Sequence, residues 1–180
     1  PYPTVDAIAR SAILVDSAGK RLFDEGRGGI YLANEIAKLD DPLSICVVFD
    51  DEVWNGLAAD NRYPPCMNPA FVNEGGTVYG DNSLEALGQQ IGIPGKVLAE
   101  TVADYNRALE SGTLENLEPI RTTDVVPAHP IKTAPFHAIE LCAGITYTMG
   151  GLAIDDQCRV LDANGVPIHG LHAAGSATGG

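Results

Sequence analysis

Residues 146–180 constrain this chain more than any other stretch. Glycines stand at Gly150, Gly151, Gly165, Gly170, Gly175, Gly179 and Gly180, between apolar runs only a few residues long. The pattern reads as a hairpin, a second turn, and a strand running into glycine. A strand that ends in Ala173-Ala174-Gly175 brings bare backbone to its tip, and bare backbone can approach a ligand closely. The chain starts on Pro1 and ends on Gly180, inside this glycine-rich pattern, so a piece of a larger protein is expected.

The length of 180 residues suits one domain with a substantial core. Formal net charge is −13, which argues against nucleic acid or an anionic membrane as partner, because both require a basic footprint. The four cysteines, Cys46, Cys66, Cys142 and Cys158, form no C-x-x-C pair. Cys46 and Cys142 lie in apolar strand-like runs, where the thiol behaves as a small buried hydrophobe. Neither a disulfide framework nor a metal site is expected, and a reducing, cytoplasmic compartment is. Within these residues no leader-like stretch and no apolar run long enough to cross a bilayer is expected.

Along the chain, residues 11–15 read as a strand, 16–19 as a turn, and 21–24 as the returning arm of a hairpin. Residues 30–38 read as a helix with Ile30, Ala33, Ile36 and Ala37 inward. The unbroken apolar run 44–49 is a buried strand, followed by a short helix capped by Asp50 or Asp51 and carrying Val53, Trp54 and Leu57. Residues 61–76 are expected as a surface loop. A helix then starts at a capping-box-like 82–85 and ends near Gly92. A longer one opens at Pro94, buries Leu98, Val102, Tyr105 and Leu109, and stops at Gly112. Residues 113–135 are loop-rich, and apolar segments follow at 136–142, 145–148, 152–154 and 159–161. No G-x-G-x-x-G occurs, so the dinucleotide-binding fingerprint is absent from the chain. His129, between Ala128 and Pro130, is expected to be solvated, and His137 to be a satisfied structural histidine. The four histidines, including His169 and His172, lack ligand spacing.

Three blocks carry a family resemblance. The first joins Thr148-Met149-Gly150-Gly151, Arg159-Val160-Leu161-Asp162, Pro167-Ile168-His169-Gly170-Leu171 and Ala173-Ala174-Gly175. The second is residues 12–25, and the third residues 133–140. Together they resemble the fumarate reductase/succinate dehydrogenase flavoprotein family, which includes the 3-ketosteroid dehydrogenases. The resemblance implies an α+β fold: the small capping domain of a two-domain flavoprotein, with mixed or antiparallel strands around a central helical segment. Residues 1–168 would form the capping, substrate-side domain, and residues 169–180 the start of a return strand to an FAD-binding domain of the same parent chain. FAD would be held mainly by that other domain, with a small-molecule substrate between the two.

The resemblance also marks site residues. Tyr147 stands where fumarate reductases place a carboxylate-binding histidine, and a phenol carries no positive charge at neutral pH. Its plainer alternative is a strand aromatic in the core. Arg27 is the candidate for the family's proton-delivering arginine, arriving about two positions early, with Gly29 in the usual place. Its plainer alternatives are a solvated loop arginine or a partner of Glu25. Asp6 keeps an acid that the family uses, while Val5 replaces a threonine and the relay arginine is lost or shifted to Arg10. Thr148, Gly150 and Gly151 are implied at the substrate. Met149, His172, Ala174, Gly175 and Ser176 are implied at the cofactor, with Ser176 in place of the family's glutamate. Few fixed cations remain for a dicarboxylate. The expected activity is flavin-dependent reduction or formation of a C–C double bond beside a carbonyl, on a substrate other than fumarate. A fumarate/succinate enzyme and a non-catalytic binding module are the alternatives. The isolated fragment is expected to be inactive and to self-associate through its apolar, glycine-rich face.

Overall fold

The structure is a computed structural model that describes residues 9–56, 72, 75–144 and 150–178, in two compact units, Pro1–Ala143 and Gly144–Gly180. The fold is α+β. In the first unit an antiparallel sheet has the order β1-β2-β4-β3, with β1 Ile13–Val15, β2 Ile45–Asp50, β3 Tyr79–Asp81 and β4 Phe136–Leu141. Strand β2 is buried at every residue, as its unbroken apolar run requires of a strand covered on both faces. Its register against β4 sets Val47 opposite Ile139 and Val48 opposite Ala138.

Side chains alternate across the sheet and build a core on each face. Leu14, Ile45, Val47, Phe49 and Ile139 pack with Leu32 and Ile36 of helix α1, Gly29–Ile36. Ile13, Val15, Cys46, Val48 and Ala138 pack on the other face with Leu87 of α2, Leu84–Gln90, and Leu98, Val102 and Tyr105 of α3, Gly95–Ser111. Ser83 caps α2 by accepting from the Ala86 N–H, and Gly112, left-handed at φ 65°, ends α3. Gly88 and Gly95 let α2 and α3 meet backbone to backbone. A Cβ on Gly88 would lie 2.6 Å from the Gly95 Cα, and one on Gly95 2.2 Å from the Glu85 carbonyl oxygen.

Several expectations need correcting. Residues 21–24 form no hairpin arm: only an isolated Val15–Arg21 bridge closes the turn, and a 3₁₀ turn, Glu25–Arg27, follows. The cause is charge burial. Arg21 and Glu25 face inward and pair, with Arg21 Nη2 2.5 Å from Glu25 Oε2 and Nε 3.3 Å from Oε1. Glu25 is fully buried, accepts the Leu14 N–H, and has the buried Arg121 Nε at 3.9 Å. Helix α1 turns Leu32 and Ile36 inward and leaves Ile30 82% exposed. In α3, Thr101 and Ala108 are buried where Leu109 was expected. The residue after Asp51 begins a π-helical turn, Glu52–Gly56, whose Val53 N–H bonds Asp50 Oδ1 as the capping argument required. Cys142 is exposed, just beyond the end of β4. The expected loop 61–76 lies almost wholly outside the described residues, as do Leu57, Cys66 and the segment 145–148.

The second unit is a two-stranded ribbon, β5 Arg159–Leu161 against β6 Pro167–His172, ending in a 3₁₀ turn, Gly175–Thr178. The expected segment 152–154 contributes an isolated bridge, Ile154 to Val160. Carboxylates fix both turns. Asp162 accepts from the Asn164 and Val166 N–H groups, and Asp155 from those of Gln157 and Arg159.

Removing the carboxylate in Glu25→Ala strands two buried guanidinium groups, and uncompensated buried charge of this kind costs about 3–5 kcal/mol. The urea midpoint of the variant is expected to fall accordingly, and an unchanged midpoint contradicts the argument. Burial first, and then the nearby Glu140 charge, push the Cys46 thiol up to about 11. Iodoacetamide at pH 8 is expected to label the Cys142 peptide in the folded protein and the Cys46 peptide only in denaturant, as read by mass spectrometry. Equal labelling of both in the fold would refute the burial of Cys46.

Candidate functional site

In the first unit the sequence candidate is Arg27, and the buried charge cluster positions it. Asp24 caps the 3₁₀ turn by accepting from the Gly26 N–H, and it also holds Thr122 through the backbone N–H and the hydroxyl, both at 2.9 Å. Gly26 touches that neighbouring segment so closely that a Cβ would fall 1.8 Å from the Thr122 carbonyl oxygen. Arg121 is equally fixed: its guanidinium donates to the carbonyl oxygens of Ala9, Thr122, Val126 and Pro127. The chain leaves this cluster at Arg27, turns through Gly28 at φ 86°, and enters α1. Arg27 is exposed, and its guanidinium lies over the Tyr31 ring, 4.0 Å from the centroid. Glu25 is not its partner, because that carboxylate is held by Arg21 and Arg121. Gly29 is buried at the start of α1.

The second unit brings together candidates from both ends of the glycine-rich pattern. The Leu152 N–H donates to the Ala177 carbonyl oxygen at 2.9 Å, which sets Gly150 and Gly151 beside the Gly175–Thr178 turn containing Gly175 and Ser176. Gly150 at φ 102° and Gly175 at φ 64° need glycine's freedom, and a Cβ on either would meet nothing within 4 Å. His172 ends β6, exposed and opposite Arg159, with Ala174 just after it. The Arg159 side chain holds the Asp155 carboxyl below its ordinary range, mainly through their hydrogen bond. Leu152, Val166, Ile168 and Leu171 are large apolar residues left exposed on this small ribbon. Asp6, Tyr147, Thr148 and Met149 lie outside the described residues.

Two histidines complete the inventory. His137 is buried as a satisfied structural residue, stacked on Phe49 and Trp54 at 5.5 and 5.4 Å, with Nε2 3.3 Å from Asp51 Oδ1. His129 is not solvated. Its side chain is 19% exposed and its Nε2 is screened, because the loop 129–133 folds against β2. Sequence spacing could not associate His129 with Asp50 and Glu52, since the residues are nearly eighty positions apart and are brought together only by tertiary folding.

A family profile described as "FAD binding domain" matches residues 4–180. The chain is 33% identical over 175 residues to a fumarate reductase (cytochrome) of Shewanella frigidimarina, covering 94% of this chain and 27% of that protein. It is 30% identical over 185 residues to a 4-oxocyclohexanecarboxylate 2-dehydrogenase of Sinomonas cyclohexanicum, covering 93% of this chain and 31% of that one. Its fold matches the 3-ketosteroid Δ1-dehydrogenase of Sterolibacterium denitrificans with a TM-score of 0.63 at 21% identity, over 97% of this chain and 34% of that one. The chain thus spans between a quarter and a third of the length of these curated relatives.

The described residues fit a flavin on their chemistry. Residues 150–151 and 172–176 offer backbone N–H groups, a serine hydroxyl and an imidazole, with no carboxylate, which suits the carbonyl oxygens and hydroxyls of such a cofactor. The open glycines leave room for a flat ring. No helix among the described residues is long and apolar enough to cross a membrane. The chain belongs to the FAD-binding flavoprotein family that includes fumarate reductases and ketosteroid dehydrogenases, and FAD is the cofactor of that family.

Proposed function

We propose that this chain is the substrate-covering part of an FAD-dependent oxidoreductase that forms or reduces a C–C double bond beside a carbonyl, and that its substrate is not fumarate. The observation that carries the reading is the environment of Arg27. It is exposed, it rests on the Tyr31 ring, and no carboxylate among the described residues pairs with it. A guanidinium so placed keeps its N–H groups free of a competing anion and can deliver a proton to the carbon beside a single carbonyl. A dicarboxylate asks for several fixed cations. Of the other carboxylate-binding positions that the family resemblance implies, the histidine's holds Tyr147, the arginine's usual place holds Gly29, and the threonine's holds Val5.

In this reading Gly150, Gly151, Ala174, Gly175 and Ser176 would lie against FAD, with Met149 and His172 at its border. FAD, when bound, supplies hydride acceptance and donation. Thr148 and Tyr147 would orient the substrate carbonyl by hydrogen bonding, and Asp6 with Arg27 would handle the proton on the neighbouring carbon. The exposed apolar residues of the ribbon would be covered by the FAD-binding domain, which excludes water from the reacting atoms. The likeness to a Shewanella fumarate reductase supports a second reading, a dicarboxylate enzyme whose carboxylate site has been rebuilt around other residues.

The deciding experiment uses the flavin-loaded full-length protein carrying this chain, photoreduced without oxygen. Addition of a 3-ketosteroid enone is expected to restore the yellow flavin absorbance, and addition of fumarate is not. Rapid reoxidation by fumarate would establish the second reading. Arg27→Leu is expected to slow reoxidation by the enone about 10²-fold or more. An unchanged rate would make Arg27 a surface residue without a part in the reaction.

A further inference from the structure

The end of β2 carries Asp50, Asp51 and Glu52 in succession, and the loop 129–133 lies beside it. One donor atom from each of Asp50, Glu52 and His129 lies within 4.8 Å of the other two. We infer that these three side chains form a site for a divalent first-row transition ion of the zinc class, which fastens the loop 129–133 to the Glu52–Gly56 turn. The site goes beyond the flavin chemistry and shares no residue with it.

The donor chemistry is the first argument. One imidazole with two carboxylates suits zinc or manganese, whereas magnesium and calcium favour all-oxygen sets. The second argument is the imidazole itself. His129 Nε2 is screened from water and has no hydrogen-bond partner among the described residues. The nearest carboxylate oxygen recorded for it, Glu52 Oε2, is 3.9 Å away, beyond hydrogen-bond reach. A buried ring nitrogen directed at carboxylates without bonding them is unsatisfied, and an ion between the groups satisfies all three.

The supporting shell is already built. Asp50 Oδ2 accepts from the Lys132 and Thr133 N–H groups at 2.8 and 3.0 Å, and Oδ1 from the Val53 N–H at 3.2 Å, which leaves a lone pair on Oδ1. The His129 carbonyl oxygen accepts from Tyr105 Oη, and Asn106 grips Ile131 through both its N–H and its carbonyl oxygen. Helix α3 therefore holds the histidine's backbone, while the loop holds the aspartate. Such outer contacts orient metal ligands.

Charge agrees with geometry. Lys132, whose backbone holds Asp50, gives its ammonium to Glu110 instead. Asp51 bonds Asn55 and faces His137. Two carboxylates with a neutral imidazole carry a charge that a divalent ion cancels. Bonds of about 2.1 Å at tetrahedral angles set ligand atoms about 3.4 Å apart. The Glu52–His129 separation of 3.9 Å can close to that value by motion of Glu52, whose side chain is 55% exposed.

The test titrates the chelator-treated chain with Zn²⁺ by calorimetry and with Co²⁺ by absorption spectroscopy. One equivalent is expected to bind, with cobalt d–d bands and no thiolate charge-transfer band. Glu52→Gln, at an exposed position, is expected to weaken binding at least tenfold, and His129→Gln to abolish it with an unchanged far-ultraviolet circular dichroism spectrum. If His129→Gln fails to fold, the Glu52→Gln result decides. The Cys142→Ser/Cys158→Ser variant is expected to bind as the parent does. Absence of binding, binding undiminished in Glu52→Gln, or a thiolate band lost with the two cysteines would overturn the site.

Discussion

The first unit is organised around one buried carboxylate. Glu25 sits between the guanidinium groups of Arg21 and Arg121 and accepts the Leu14 N–H of β1. Its charge would be intolerable in the interior without those partners, and their charges without it. Asp24, also buried, accepts from the Gly26 N–H and from the Thr122 N–H and hydroxyl, which ties the following turn to the same segment as Arg121. Hydrogen bonds radiate from this centre to Pro119, Phe23, Ala9, Val126 and Pro127. Segments distant in sequence are thereby tied to the edge of the sheet by directional contacts, where an apolar core alone would let them slide.

That arrangement also explains what the sequence could and could not reveal. Strand β2 was legible because an unbroken apolar run leaves no other economical conformation, and α2 and α3 because Ser83, Gly92 and Gly112 mark their ends. The segment after the first turn was not legible. Arg21, Asp24 and Glu25 look like the solvent face of a hairpin arm, and only their mutual pairing reveals that they point inward. Helix α1 was rotated for a related reason: its inward face is chosen by the cavity that Phe49, Ile45 and Leu14 leave open, which Leu32 and Ile36 fill. Strand β3, three residues around Gly80, has no apolar pattern of its own and exists as an edge on β4.

The candidate site shows the same division. Glycine placement at 150 and 175 was visible because positive φ leaves a mark in the sequence, and the structure brings those positions together through a single hydrogen bond, Leu152 N–H to the Ala177 carbonyl. The surroundings of Arg27 and His129 were invisible, since each depends on a partner brought in by tertiary folding: Tyr31 one helical turn on for the first, and the end of β2 for the second. Chemistry read from residue type survives such surprises better than chemistry read from exposure.

The contact between Gly88 and Gly95 has a consequence for how this domain can change over time. Helices α2 and α3 meet there through backbone atoms, so side-chain volume does not set the angle at which they cross. Neighbouring apolar positions such as Leu87, Ile93 and Leu98 can drift in size while α3 keeps its direction. The hydroxyl of Tyr105 and the amide of Asn106 then continue to reach the same loop. Sequence variation on that side of the sheet is decoupled from the placement of the loop.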